Sequence, residues 1–312
     1  MKILITGGAG CLGSNLVEHW IAQGHEIAAI DNFATGKREV LPPIRGLQVR
    51  EGSVADGAFV KRVFQEFRPE VVVHSAAAYK DPNSWAEDVA TNVSGAIAVV
   101  RAAEQARVRR LINFQTALCY GRPSRVPVPV EHPLAPFTSY GVSKTAGEQY
   151  LLMAHMPVTS FRIANVIGPR LAIGPIPTFF KRLQAGQKCF CSDAVRDFLD
   201  MSDFIGLMDL AVNEGAPSGV FNVSTGEGNS IKEVFDEVAA YLAITPKELV
   251  QVVPVGADDV QAVVLDPSKT EKEFGWKARV GFKEAIRAQL DWYRRYGVSD
   301  VHSHLSSPQV SA

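Results

Sequence analysis

Two groups of residues in this chain have types and spacings suited to chemistry. Thr6-Gly7-Gly8-Ala9-Gly10-Cys11-Leu12-Gly13 follows the apolar run Ile3-Leu4-Ile5 and opens a stretch with helical spacing of apolar residues. Glycines in such a strand-to-helix turn let the backbone approach a pyrophosphate, whose charge meets the N–H groups at the helix start. Two residues stand between Gly7 and Gly10, where the commoner dinucleotide pattern has one. The second group is Tyr140-Gly141-Val142-Ser143-Lys144, with Thr116 ahead of it. A tyrosine and a lysine four residues apart on one helix share a face. The ammonium field there is expected to favour phenolate and to make Tyr140 a usable base. Thr116 lies just past the apolar strand Leu111 to Phe114, so its hydroxyl is expected to bond a substrate oxygen beside Tyr140. Together these residues suggest a redox enzyme that binds a dinucleotide and moves a proton.

Asp31 ends a predicted strand eighteen residues after Gly13. A carboxylate there accepts hydrogen bonds from adenosine ribose hydroxyls and repels a 2′-phosphate, so NAD is expected over NADP. Lys37 and Arg38 argue the other way, but read as a solvated loop face.

Parallel strands are needed to position these groups. Strands are predicted at Ile3 to Thr6, Glu26 to Asp31, Leu47 to Glu51, Val71 to His74, Arg110 to Gln115 and Pro157 to Ile163. Helical spacing falls between them, at Ser14 to Gln23, Ala58 to Phe67, Trp85 to Ala106 and Ser139 to Ala154. That alternation predicts an α/β, doubly wound (Rossmann) parallel sheet with a smaller C-terminal substrate-binding α/β domain. Residues 1–165 are the expected dinucleotide domain, 166–298 mainly the substrate domain, and 299–312 a flexible tail. A strand near 219–225 is free to interleave with the large sheet.

With 312 residues, 46% of them hydrophobic and 21% charged, the chain can bury a full core. A net charge of −1 leaves no basic footprint for nucleic acid or a membrane surface. The absence of a leader-like start or a long apolar run makes the cytoplasm the expected location. Cys11, Cys119, Cys189 and Cys191 lack zinc-site spacing and read as reduced thiols. No metal site is expected, since His302 and His304 read as part of the tail and His74 as a packed histidine beside the cofactor.

The chain resembles the extended short-chain dehydrogenase/reductases, specifically the NAD-dependent nucleotide-sugar epimerase/dehydratase family. The resemblance rests on the glycine loop, Asp31-Asn32 with Thr35-Gly36-Lys37-Arg38, His74-Ser75-Ala76-Ala77, and Thr116 ahead of Tyr120-Gly121. Further marks are Tyr140-Gly141-x-Ser143-Lys144 with Gly147-Glu148, Arg162-x-x-Asn165-Val166-x-Gly168-Pro169, Arg196-Asp197-Phe198 and Asp266-x-Ser268-Lys269. It implies Tyr140 as base, Thr116 as its hydroxyl partner, and Lys144 as holder of the nicotinamide ribose and tuner of Tyr140. It implies cofactor contacts at Gly7, Gly10, Cys11, Leu12, Gly13, Asp31, Asn32, Ser53, Val54, Ala76, Ala77 and Asn92. Tyr79, Thr116, Asn165 and Arg196 form the implied substrate set, with Asn165 and Arg196 on the diphosphate, and the family's habit implies a homodimer. Three positions depart from the pattern: Ser53 replaces an Asp for the adenine amine, Ile167 a Tyr, and Ala262 an Arg that grips the diphosphate.

Among the family's reactions, 4,6-dehydration needs an added acid and base after the threonine, where this chain has Ala117 and Leu118. Decarboxylation is disfavoured for the same reason. Epimerisation needs only Thr116, Tyr140, Lys144 and room for a keto sugar to turn over, so a nucleotide-sugar epimerase, acting at C4, fits best. The alternatives are a dehydrogenase or 4-keto reductase with net redox, and a catalytically silent NAD-binding protein.

Overall fold

The structure is a computed structural model and describes residues 1–79, 81–246, 248–257 and 259–299. Most of the expected tail, with His302 and His304, therefore lies outside the described residues.

Strand and helix alternate through the first half: β1 Lys2–Thr6, α1 Cys11–Ala22, β2 Glu26–Asp31, β3 Leu47–Glu51, α2 Gly57–Phe67 and β4 Val71–His74. Then follow α3 Trp85–Asp88, a π-helical segment Val89–Ser94, α4 Gly95–Gln105, β5 Arg110–Thr116, α5 Ser139–Leu152 and β6 Val158–Ile163. Beyond these lie β7 Asn165–Ile167, α6 Pro175–Gln184, β8 Phe190–Ser192, β9 Val195–Arg196, β10 Phe198–Asp200, α7 Met201–Ala211 and β11 Gly219–Val223. The remainder holds β12 Asn229–Ser230, α8 Ile231–Tyr241, β13 Gln251–Val253, β14 Ala262–Val263, α9 Ser268–Phe274 and α10 Phe282–Tyr296.

Seven strands form the large sheet, in the order β11-β6-β5-β4-β1-β2-β3. Pairing is parallel from β3 through β2, β1 and β4 to β5. Ile3, Leu4, Ile5, Val71, Val72 and Val73 are inaccessible to solvent, as befits parallel strands covered on both faces. The stretch Asn222 to Thr225, read from sequence as a strand of uncertain sheet, overlaps β11 at the edge of this one. Strand order reverses between β1 and β4, and in such sheets ligands bind outside the carboxyl ends of the strands at that point. The glycine loop leaves β1 there, Ser75 to Tyr79 leave β4, and Thr116 ends β5.

Two differences from the sequence expectation bear on the site. Helix α1 starts at Cys11 rather than Ser14, because Gly10 takes the extended N-cap conformation. The stretch Trp85 to Ala106 is not one α-helix but is interrupted by the π-helical turn. Its bulged backbone fits a neighbour without a side chain: a Cβ added to Gly147 would collide with the Asn92 carbonyl oxygen.

The chain divides into two compact units, each assembled from separate segments. The first comprises Met1–Cys119, Pro136–Arg162 and Ile205–Phe221. Under its sheet Leu4, Ile30, Val60, Phe64, Phe67, Val72, Val99 and Leu111 form one buried cluster. Tyr120–Ala135, Ile163–Phe204 and the chain from Asn222 onward make the second. There Phe179 and Phe180 are buried, edge-on to Phe235 at 5.4 Å and tilted against Tyr293 at 5.3 Å respectively. Among the described residues, no helix is long and apolar enough to cross a membrane.

Candidate active site

At the glycine loop the backbone has no room for side chains. Gly7 has φ +67°, and a Cβ on it would lie 2.8 Å from the Ala76 backbone; one on Gly13 would collide with the Gly7 carbonyl. Bringing the loop of β1 against the loop of β4 leaves a cradle formed by backbone. Gly10 offers no side-chain cap to α1, so the N–H groups of the first turn are not claimed by a capping side chain. Those N–H groups belong to Cys11, Leu12 and Gly13. This donor set fits the pyrophosphate of a dinucleotide.

Asp31 lies beside the loop and is 8% exposed. Its Oδ2 accepts from Ala9 N and its Oδ1 from Phe33 N, both at 2.8 Å. Burial pushes the carboxyl upward, while these backbone donors hold it down. Each oxygen keeps a lone pair, enough for ribose hydroxyls. Arg38, counted against NAD in the sequence, has its guanidinium on Glu51 at 2.7 Å, and its charge is offset there. Asn32 is exposed and caps the turn by accepting from Ala34 N at 3.1 Å. The Ser53 hydroxyl accepts from Ala55 N at 3.1 Å, and Val54 is buried against Gly95. Ala76 N donates to Thr6 Oγ1, which is also 2.8 Å from His74 Nδ1. Burial, followed by the Lys144 charge, lowers His74 to about 3, so this packed histidine is neutral.

The three catalytic candidates come together in the first unit. Thr116 and the Tyr140 phenol share a hydrogen bond. Lys144 is 6% exposed, and its Nζ donates to Phe114 O at 2.6 Å. Gln115 ties helix to strand, donating to Lys144 O at 2.9 Å and accepting from Thr116 N at 2.7 Å. One electrostatic expectation is corrected. In the ligand-free protein the phenol of Tyr140 is pushed up, not down: burial is the largest cause, followed by Tyr79, with the Thr116 hydrogen bond opposing. Burial also lowers Lys144 to about 8, and its ammonium points at a backbone carbonyl.

Tyr79 packs edge-on to Tyr140, with ring centroids 6.3 Å apart, and its hydroxyl bonds to Thr35. Tyr79, implied for substrate, thus links the loop after β2 to Tyr140. Asn92 is buried in the π-helical turn. Its amide donates to Ala78 O at 3.1 Å and to Ser143 Oγ at 3.0 Å, and accepts from Ala78 N at 2.9 Å. Both of its donors are spent, so it positions the loop that follows β4 and the catalytic helix.

In the second unit, Asn165 is exposed and its side chain donates to Asp197 O at 3.1 Å. Arg196 is engaged more fully than its sequence context predicts. It donates to Val195 O and Val260 O and forms an ion pair with Asp259. In the first unit Gln115 and Asp88, and in the second unit Asp259, hold candidate residues in place without belonging to a motif the sequence singles out. Gln115 directly precedes Thr116, so sequence adjacency could have pointed to it; Asp88 and Asp259 carry no such signal.

Residues 3–224 match the NAD dependent epimerase/dehydratase family. A UDP-glucose 4-epimerase of Mycolicibacterium smegmatis is 30% identical over 94% of this chain and 99% of that one. The Bordetella bronchiseptica enzyme WbmG, solved in complex with NAD and UDP, is 69% identical, with a TM-score of 0.95 and 99% of each chain covered. A UDP-glucose 4-epimerase from Thermotoga maritima, solved with UDP-glucose, is 28% identical, with a TM-score of 0.86 over 95% of this chain and 99% of that one.

Proposed function

The chain belongs to the NAD-dependent epimerase/dehydratase family, and from that premise we propose that it is a nucleotide-sugar 4-epimerase acting on a UDP-sugar. The observation that carries this reading is the Thr116–Tyr140 hydrogen bond with Lys144 one turn away, in a site where Ala117 and Leu118 supply no second acid or base. When bound, NAD supplies reversible two-electron oxidation at the sugar carbon. Tyr140 takes the proton of the C4 hydroxyl, Thr116 holds that oxygen in place, and the resulting 4-keto sugar turns over. With the keto sugar turned, the hydride taken up by bound NAD would return to the opposite face of C4 and Tyr140 would give its proton back to the C4 oxygen, so C4 would invert with no net redox. Gly7, Gly10, Cys11, Leu12, Gly13, Asp31, Asn32, Ser53, Val54, Ala76 and Ala77 are the residues proposed to hold the cofactor, with Lys144 on its ribose. Asn165 and Arg196 are the proposed diphosphate contacts. The bound UDP of the Bordetella enzyme, 69% identical, supports the choice of base.

The test is to incubate the protein with NAD and a panel of UDP-, dTDP-, GDP- and CDP-hexoses and to follow the sugar protons by NMR. Conversion to a 4-epimer without NADH is expected, falling by about three orders of magnitude in Tyr140→Phe with NAD binding retained. Stoichiometric NADH would replace this reading with net dehydrogenation.

We also propose a homodimer in the cytoplasm. Helix α5 buries Gly141, Ser143, Lys144, Gly147 and Glu148 and leaves Val142 and Tyr150 exposed. Trp85 on α3, Val89 in the adjacent π-helical segment and Met153 after α5 are also exposed on elements that pack together, and this run of exposed apolar residues supports cover by a second copy. A monomer by light scattering would refute it.

A further inference from the structure

The helix that carries the base is held at its first turn by a group the reaction does not use. Asp88, the last residue of α3, is 2% exposed, and its Oδ2 accepts a 2.6 Å hydrogen bond from Ser139 Oγ. Ser139 opens α5 and directly precedes Tyr140. The arrangement repeats one turn on. Asn92 donates to Ser143 Oγ at 3.0 Å, and Ser143 in turn donates to Tyr140 O at 3.0 Å. Asp88 and Asn92, four residues apart, thus grip Ser139 and Ser143, also four apart, and each gripped serine is followed by Tyr140 or Lys144.

Helix capping does not account for Asp88. Thr138 already caps α5, accepting from Gly141 N at 3.1 Å, and a buried carboxylate is costly unless its place is used. Building on the assignment of Tyr140 as base, we propose that Asp88 is a positioning residue for it, tethering the first turn of α5 through Ser139. Burial, the largest effect, raises the Asp88 carboxyl, and the Ser139 hydrogen bond opposes it by favouring the carboxylate. Its charge raises the phenol, ranking behind burial and Tyr79, while the Thr116 hydrogen bond lowers it. Cys119 also faces the phenol, Lys144 stands one turn on, and Glu87 and Asp81 face Asp88.

The test uses the full-length protein loaded with NAD and reads kcat/KM for the donor against pH. Asp88→Asn keeps an acceptor for Ser139 but removes the charge, so the acidic limb, which reports the base, is expected to move down by about half a pH unit. Ser139→Ala keeps the charge and removes the tether, so kcat is expected to fall about tenfold at an unchanged donor KM and an unmoved limb. An Asp88→Asn limb that superimposes on that of the parent, or a Ser139→Ala kcat equal to it, overturns the proposal. If Asp88→Asn does not fold, Ser139→Ala decides alone. Tyr140→Phe separates the two readings. If it stays active, the assignment of the base fails; if it is inactive while the Asp88 and Ser139 variants behave as the parent, only this inference fails.

Discussion

Replacing Lys144 by methionine should stabilise the ligand-free protein while disabling the reaction. Burial lowers the ammonium from 10.5 to about 8, with Glu148 opposing. The folded form therefore holds this proton less tightly than the unfolded chain. Between pH 8 and 10.5 the unfolded state binds more protons, so stability rises with pH across that window, and the full penalty applies below it. At about 1.4 kcal/mol per pH unit, the ammonium costs about 3 kcal/mol at pH 7. Methionine fills the space of the stem but forfeits the bond from Nζ to Phe114 O, worth about 1 kcal/mol. A net gain of about 1–2 kcal/mol at pH 7, shrinking toward zero by pH 10, is expected. Urea unfolding of both proteins without NAD, at pH 7 and at pH 9.5, measures it; turnover of the variant should fall at least about 100-fold. A variant that is less stable by the same amount at both pH values would refute the reasoning, since the ammonium would then be stabilising rather than strained.

Asp31→Ser removes the acceptor of two backbone N–H groups and the proposed ribose contact. NAD should bind about 10–100-fold more weakly and the preference over NADP should narrow, as read by titration with both reduced cofactors. NADPH binding more tightly than NADH in the parent would contradict the role given to Asp31. His74, held to about 3, charges more easily in the unfolded chain. Stability should therefore fall as pH drops from 6.5 toward 3, by up to about 5 kcal/mol, and His74→Asn should flatten that fall in circular dichroism titrations. Matching acid slopes in the two proteins would exclude His74 as the cause.

Much of the site is legible along the chain because it is built from local pattern. The glycine loop, the strand ending at Asp31, and Tyr140 with Lys144 each lie within one strand-turn-helix or one helix. Periods of apolar residues and the special conformation of glycine therefore identify them without knowledge of distant neighbours. The six strands of the first half and the Rossmann class follow from the same periodicity.

What tertiary structure decides is everything that depends on residues far apart in sequence meeting in a dry environment. No periodicity announces a π-helical turn whose carbonyl needs Gly147, or the grip of Asp88 and Asn92 on Ser139 and Ser143. The ion pair ties Arg196, on β9, to Asp259 in the loop ahead of β14, and β11 joins a sheet begun two hundred residues earlier. The sign of the Tyr140 shift is the clearest case. Spacing places an ammonium one turn away and would favour phenolate, but in the fold that ammonium is turned to Phe114 O and burial raises the phenol, and the free energy of removing a charge from water is a property of all the atoms packed around it.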